Sequence, residues 1–222
     1  MIRSIAIDGP AGAGKSTIAK KIAKQKGFIY VDTGAMYRAM GLYYMNKGVS
    51  PEDTEKIEGL INDIDVSISY ENGEQVVSLN GENVNSKIRT PEVGSMASEV
   101  STNGAVRKKM VSLQQQLAKT RSVVMDGRDI GTVVLPDAMV KIFLTASVDI
   151  RTKRRFDELK EKGIECDFEK LKKEIEDRDY RDIHRDNSPL KKADDAVEVD
   201  TSELNVDEVV KKILDIAESK GL

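Results

Sequence analysis

Residues 9–16, GPAGAGKS, decide the fold expected of this chain, because they stand between a strand pattern and a helix pattern. The preceding residues 2–8, IRSIAID, form a short apolar run rich in β-branched side chains. From Ser16 onward apolar residues recur at helical spacing until Gly27. Glycines let such a loop wrap closely enough for backbone N–H groups to point at phosphate oxygens, and the helix N-terminus adds positive potential. The segment therefore predicts a phosphate-binding loop.

Two side chains of this loop carry the expected chemistry. Lys15 is placed to reach the β and γ phosphates of a nucleoside triphosphate, and Ser16 can offer its hydroxyl to a Mg²⁺ ion that bridges them. The alternative is a glycine-rich turn that matches G-x-x-x-x-G-K-[ST] by chance, and the flanking strand and helix argue against it. Switch GTPases, ATP-driven machines and small-molecule kinases all use such a loop. A guanine-reading N-K-x-D run does not occur in the sequence, so transfer to a small acceptor is the leading interpretation.

The pattern along the chain predicts an α/β core that carries the phosphate-binding loop. Five short apolar runs alternate with helical segments, which is typical of a parallel sheet flanked by helices. These runs are residues 2–8, 28–31, 122–126, 140–144 and 196–199. Between residues 65 and 85 the apolar period changes from 3.6 to 2, with Asn72-Gly73 as a turn signal. This stretch predicts a small antiparallel β insert.

Local signals place several element boundaries. Thr90 followed by Pro91 predicts a capped helix start, and Asn205 with Glu208 three residues later predicts a capping box. Residues 32–34, Asp-Thr-Gly, are expected to form a loop. Pro51 is expected to open a helix.

Composition excludes several classes of protein. The 222 residues carry a formal net charge of −3, so no basic footprint for a nucleic-acid polymer is visible. The single Cys166 and single His184 leave little basis for a disulfide framework, a zinc site or a triad hydrolase. No apolar run approaches the roughly 18 residues of a membrane span, and Asp8 and Lys15 interrupt the region where a signal peptide has its apolar core. We expect a cytoplasmic protein with neither a membrane nor a nucleic-acid polymer as partner.

An acceptor site should be rich in arginine, because phosphoryl transfer depends mainly on positioning and charge neutralisation. The arginines outside the loop that could serve this purpose are Arg38, Arg107, Arg128, Arg178, Arg181 and Arg185. The last three are spaced three and four apart, so they would share a face if the helix continues through all of them. A solvated helix face with acidic neighbours is the alternative, and spacing alone leaves it open.

Two further groups have open alternatives. Asp126 and Asp129 flank Arg128 at the carboxyl end of a predicted strand, where open α/β sheets place their ligand crevice. Capping and solubility are their other possible roles. Arg151, Arg154 and Arg155 begin the helix after the fourth strand, and they fit either a solvated face or a lid over a triphosphate.

The combined motifs resemble the bacterial-type cytidylate kinases, a family of P-loop nucleoside monophosphate kinases. The segments that carry the resemblance are IAIDGPAGAGKST at 5–17, VDTGAMYRA at 31–39, IRTPEV at 88–93, MDGRDIGTVVLPDA at 125–138, KIFLTAS at 141–147 and RDYRDIHRDNSPL at 178–190. The resemblance implies an α/β fold with a P-loop NTPase core and a five-stranded parallel sheet. It further implies a single kinase unit with a monophosphate-binding insert and a short helical lid. Its implied divisions are a core of residues 1–37, 86–147 and 190–222, an insert near 38–85 and a lid near 148–189.

The resemblance also implies a reaction. ATP is expected to donate its γ-phosphoryl group to CMP or dCMP, with Mg²⁺, giving ADP and CDP or dCDP. The alternatives are a kinase for UMP, AMP or a metabolite, and a nucleotide-binding switch. We also expect a monomer.

Site roles follow from the resemblance position by position. ATP is expected to bind Gly9, Pro10, Ala11, Gly12, Ala13, Gly14, Lys15, Ser16 and Thr17. The monophosphate is expected to contact Thr33, Arg38, Ser98, Arg107, Arg128, Asp129, Arg178, Asp182 and Arg185. In this set Ser98, Arg107, Asp129 and Arg185 resemble cytosine readers, Arg178 and Asp182 sugar contacts, and Arg38 and Arg128 phosphate clamps. The implied catalytic residues are Lys15, Arg128 and the lid arginines Arg154 and Arg181, and Ser16 is the implied metal ligand.

Overall fold

The computed structural model describes residues 2–71 and 73–222, and its strands and helices are numbered here in chain order. The strands are β1 (Ser4–Asp8), β2 (Ile29–Asp32), β3 (Val66–Glu71), β4 (Glu74–Leu79), β5 (Glu82–Asn83), β6 (Val123–Gly127), β7 (Val140–Thr145) and β8 (Val197–Asp200). The helices are α1 (Lys15–Lys26), α2 (Thr33–Asn46), α3 (Thr54–Leu60), α4 (Pro91–Val100), α5 (Gly104–Thr120), α6 (Val148–Glu161), α7 (Phe168–His184) and α8 (Val206–Ser219). Among the described residues, no helix is long and apolar enough to cross a membrane.

A five-stranded sheet has the strand order β2-β6-β1-β7-β8. Its central strand β1 runs parallel to both neighbours, with Ile5 opposite Val124 on one side and Val140 on the other. Strand β8 is parallel to β7 in turn. The predicted α/β core with five parallel strands is therefore confirmed.

The chain divides into two compact units, one formed by Met1–Tyr30 with Ala118–Leu222 and the other by Val31–Leu117. The second unit spans a longer stretch of the chain than the expected insert near 38–85. The division into core, insert and lid stays a prediction, because compactness does not test which segment binds which substrate.

The first unit is built around the parallel sheet. Its apolar core takes Ile5 and Ile7 from β1, Ile18 and Ile22 from α1, and Ile213 from α8. Strand β1 is buried on both faces because helices follow the strands on either side. The carboxyl ends of β1 and β6 therefore sit side by side, with Asp8 opposite Gly127.

The second unit contains the predicted antiparallel insert. Strands β3, β4 and β5 form a three-stranded sheet in that order, and Ile68 lies opposite Val77. Asn72 of the predicted turn lies outside the described residues, whereas Gly73 has a φ of +82°. The Pro91 helix start is also confirmed, since the Thr90 hydroxyl accepts the N–H of Val93.

Two boundary predictions are wrong. Residues 32–34 are not a loop, because α2 begins at Thr33 and Asp32 is its N-cap, accepting the Ala35 N–H at 2.9 Å. An Asp directly after a strand can end the strand and cap the next helix with no intervening loop. Pro51 does not open α3, because Asp53 caps that helix by accepting the N–H of Lys56.

The segment after β6 contains a feature that the sequence did not predict. Residues Ile130–Val134 form one turn of π-helix, in which the Asp129 carbonyl accepts the N–H groups of Val133 and Val134. Such turns are uncommon and often occur at functional sites.

Substitution of Gly41 tests how closely α2 and α4 pack in the second unit. A Cβ on this residue of α2 would lie 2.9 Å from the backbone nitrogen of Ala97 in α4, so Gly41→Ala is expected to destabilise the protein by about 1 to 3 kcal/mol. A Cβ on Gly59 in α3 would meet nothing within 4 Å, so Gly59→Ala should instead stabilise the helix by up to about 1 kcal/mol. Thermal unfolding of the two variants measures this difference, and a stabilised Gly41→Ala variant would refute the close helix contact.

Candidate active site

The phosphate-binding loop has the geometry that its glycines allow. Gly9 has a φ of +148°, and a Cβ there would lie 1.9 Å from the carbonyl oxygen of Leu144 in β7. Gly14 has a φ of +89° and stands at the N-cap of α1, where a Cβ would meet nothing within 4 Å. The loop is therefore pressed against β7 at its start and open at the helix N-terminus, where an anion is favoured.

Lys15 is the one cation inside this loop. Its side chain is only 7% exposed, and its ammonium donates to the Pro10 carbonyl at 2.7 Å. Burial, with Arg128 as the next contribution, lowers the pKa of Lys15 to about 7. A polyphosphate in the loop would favour the charged form of Lys15 and raise its pKa again. Binding of a polyanion therefore offsets the cost of burying the Lys15 ammonium.

Ser16 lies beside an acidic residue suited to a divalent cation. Its hydroxyl donates to Asp126 Oδ2 at 2.9 Å, and the Tyr30 hydroxyl donates to Asp126 Oδ1 at 2.8 Å. In the described part of the chain, no cluster of three or more acidic, His or Cys side chains could enclose a metal ion. One hydroxyl and one carboxylate fit Mg²⁺, which usually takes one or two protein oxygens and completes its shell with water and substrate phosphates.

Arg128 forms an ion pair near the loop. Its Nε donates to Asp182 Oδ2 at 2.7 Å, and both side chains are largely buried. Burial would lower the pKa of Arg128, but Asp182 together with Asp126 and Asp179 outweighs burial, so the pKa is raised overall. Burial likewise would raise the pKa of Asp182, but Arg128, Arg178 and then Arg185 together hold it below its usual range. Three arginines thus surround the ionised carboxylate of Asp182, and the ion pair holds the Arg128 guanidinium beside the phosphate-binding loop.

Asp129 and Arg185 belong to the same cluster. The Arg185 guanidinium lies 3.9 Å from an oxygen of Asp129 and 3.9 Å from one of Asp182, while its Nε donates to the Ser188 carbonyl. The structure of the first unit therefore brings together five of the nine residues expected to contact the monophosphate: Arg128, Asp129, Arg178, Asp182 and Arg185.

The other four of these residues belong to the second unit. Thr33 is the buried first residue of α2, and Arg38, one turn later, donates to the carbonyls of Ile88 and Thr90. Ser98 is in α4. Arg107 is buried in α5, with its guanidinium carbon 5.6 Å from the centre of the Tyr37 ring.

The lid arginines have different surroundings. Helix α7 ends at His184, so the condition for Arg178, Arg181 and Arg185 to share a helix face is not met. Arg181 is exposed, whereas Arg154 donates to the side chain and the carbonyl of Thr201. Their predicted role over a triphosphate stays a prediction.

Arg151 is a residue whose role sequence reasoning left undecided. It is 4% exposed, so it does not belong to a solvated helix face. Its guanidinium donates to the carbonyls of Ala146 and of Ala11 in the loop, and it forms an ion pair with Asp179 of α7 at 2.6 Å. Arg151 therefore ties α6 and α7 to the phosphate-binding loop. The only sequence signal was a basic residue one turn into a helix after a strand.

Comparison with known proteins identifies the family. The family model described as "Cytidylate kinase" matches residues 5–219. A cytidylate kinase of Caldicellulosiruptor bescii is 52% identical over 213 residues, covering 96% of this chain and 94% of that protein. A cytidylate kinase of Lactobacillus johnsonii is 53% identical over 219 residues, covering 99% and 95%. The chain belongs to the cytidylate kinase family.

Similarity to solved structures is more distant and concerns the fold. A shikimate kinase from Acinetobacter baumannii, solved with shikimate, has a TM-score of 0.50 and 16% identity over 100% of this chain and 96% of its own. An uncharacterised protein from Eubacterium ventriosum has a TM-score of 0.54 and 14% identity, covering 99% of both chains. These likenesses support the shared architecture of a parallel sheet with flanking helices.

The contacts of Arg151 give a prediction. In Arg151→Lys a single ammonium cannot replace three guanidinium contacts, so the loop is held less firmly and the KM for ATP is expected to rise about tenfold, as for the loss of one or two hydrogen bonds. The KM for the acceptor should change little. Steady-state kinetics with each substrate varied in turn measures both values.

Arg155→Lys is the matched control, because Arg155 pairs only with the half-buried Glu158 in the contacts described for it. Equal KM values for ATP in the two variants would contradict a role of Arg151 in holding the loop.

Proposed function

We propose that the chain transfers the γ-phosphoryl group of ATP to CMP or dCMP, giving ADP and CDP or dCDP. The family assignment over residues 5–219 supports the reaction. The observation that carries the proposal is the cluster of Lys15, Arg128, Arg178 and Arg185 beside the phosphate-binding loop, because it supplies cations for a second nucleotide in addition to the Lys15 of the loop itself.

The acceptor needs no protein base in this mechanism. The second pKa of a phosphate ester is about 6, so the attacking oxygen of CMP is already ionised at neutral pH. The greater obstacle is repulsion between two polyanions, since two unit charges 4 Å apart interact by about 4 kcal/mol at an effective dielectric constant of about 20. Arginines reduce that repulsion, and Lys15 stabilises charge that develops on the transferred group.

The residue roles are proposed on the family motifs. Arg38 and Arg128 are assigned to the acceptor phosphate, and Arg178 and Asp182 to the acceptor sugar. Thr33 is assigned to the same acceptor nucleotide without a more specific role. Ser98, Arg107, Asp129 and Arg185 are assigned to the cytosine. Residues Gly9–Thr17 are assigned to ATP, and Arg154 and Arg181 to the phosphoryl group during transfer.

We further propose Ser16 and Asp126 as protein ligands of Mg²⁺. The Ser16 hydroxyl and the Asp126 carboxylate are already 2.9 Å apart, and both are hard oxygen donors. When bound, the ion would neutralise charge on the β and γ phosphates. A cytoplasmic location and a monomeric state stay predictions.

An ADP-release assay across CMP, dCMP, UMP, AMP and shikimate tests the function. We expect CMP or dCMP to give the highest kcat/KM and removal of Mg²⁺ by a chelator to abolish turnover. UMP, AMP or shikimate at the head of the series would replace the substrate assignment. ADP release that no acceptor increases would instead favour a nucleotide-binding switch.

Lys15→Ala is expected to lower kcat by about 100-fold to 1000-fold, the usual effect of removing one donor that stabilises transition-state charge. The fold should persist, because the hydrogen bond of Lys15 is to the Pro10 carbonyl of the same loop and its charge is costly to bury. Lys24→Ala on the exposed face of the same helix is the control and should keep full turnover. Near-normal kcat for Lys15→Ala, measured with saturating ATP and CMP, would contradict the assigned role.

A further inference from the structure

Asp8 is a buried carboxylate to which the family motifs assign no role. It is the last residue of β1 and is 4% exposed. Its Oδ1 accepts the N–H of Ile130 and its Oδ2 accepts the N–H of Gly131, both at 2.7 Å. Both oxygens are therefore used, and both bind the start of the π-helical turn that follows β6.

The two hydrogen bonds of Asp8 join two segments that are far apart in the chain. Asp8 directly precedes Gly9, where the phosphate-binding loop begins, while Ile130 directly follows Asp129. A single side chain thus connects the donor-binding loop with the segment that carries Arg128 and Asp129. Short hydrogen bonds from two adjacent N–H groups to one carboxylate fix its orientation as well as its distance.

We propose that Asp8 is a positioning residue, which holds the Arg128-Asp129 segment in register with the phosphate-binding loop and so sets the affinity for the acceptor nucleotide. This inference rests on the proposed function, because it concerns the same acceptor. Asp8 is not a general base, since both of its oxygens accept backbone N–H groups and the acceptor phosphate is already ionised.

The charged groups around Asp8 are consistent with a positioning role. Burial raises its pKa to about 6 despite the two N–H donors, and Asp129 raises it further, whereas Lys15 lowers it. Lys141 of β7 also lies close, because its side chain approaches Gly131. Its ammonium pairs with Asp195 at 2.9 Å. An ionised Asp8 is thus costly to bury, and its protonation would remove one of the two acceptor positions.

Asp8→Asn is the first test, because Asn keeps the shape but turns an NH₂ group toward one of the two N–H donors. We expect the KM for CMP to rise about tenfold, as for the loss of one charge-assisted hydrogen bond, with less than a twofold change in the KM for ATP. Asp195→Asn is the control, because it breaks the nearby ion pair with Lys141 at an exposed position and should leave both KM values unchanged.

The pH dependence supplies a readout that a purely structural role would not move. Protonation of Asp8 below its pKa of about 6 makes the wild type resemble the Asn variant. The KM for CMP of the Asp8→Asn variant, divided by that of the wild type, should therefore fall toward one as the pH falls from 8 to 5. Ionisation of CMP itself affects both proteins equally and cancels in the ratio.

Gly131→Ala keeps the test decisive if Asp8→Asn does not fold. A Cβ on Gly131 would lie 3.3 Å from Asp8 Oδ2 and 3.2 Å from Lys141 Cδ, so it crowds the oxygen that accepts the Gly131 N–H. The same selective rise in the KM for CMP is expected.

An unchanged KM for CMP in either folded variant, or equal rises for CMP and ATP, overturns the role of Asp8. A ratio that stays constant between pH 8 and 5 overturns it as well. Failure of the proposed function is distinguishable, because in that case the wild type itself would not prefer CMP or dCMP.

Discussion

Buried positive charge around a phosphate-binding loop is the constraint on which this structure depends. Lys15 is removed from water beside Arg128, and its lowered pKa reflects the cost. Asp126 and Asp182 offset part of that cost without cancelling it. A site of this kind is stabilised when phosphates enter it, so binding energy from two nucleotides is available for bringing them together.

The parallel sheet makes that arrangement possible. Strands β1 and β6 are neighbours, so the loop after β1 and the Arg128-Asp129 segment after β6 emerge at the same edge. Two buried side chains then connect the elements around the loop. Asp8 binds the backbone after Asp129, and Arg151 joins the loop carbonyl of Ala11 to Asp179 of α7.

The sequence predicted the features that depend on local pattern. The five parallel strands, the antiparallel insert and the helix caps at Thr90 and Asn205 follow from periodicity and capping chemistry, and the structure has all of them. The loop expected at residues 32–34 failed because one side chain, Asp32, both ends a strand and caps a helix. The expected need for arginines and the position after a strand indicated Arg128, Asp129 and Arg185, and the family motifs added Asp182. The first unit brings these four residues together.

What sequence reasoning missed depends on tertiary contacts. Arg151 looked like any basic residue early in a helix, and only its burial against Ala11 and Asp179 separates it from Arg155. Asp8 looked like the polar end of a strand, because its two partners are more than 120 residues away in the chain. The spacing of Arg178, Arg181 and Arg185 suggested a common face, which the end of α7 at His184 removes.

A crystal structure with an unreactive ATP analogue and CMP tests the central claim most directly. The account predicts that the Lys15 ammonium leaves the Pro10 carbonyl for oxygens of the β and γ phosphates, with the CMP phosphate in contact with Arg128. Lys15 still bound to Pro10, or a CMP phosphate remote from the Arg128 guanidinium, would contradict the account.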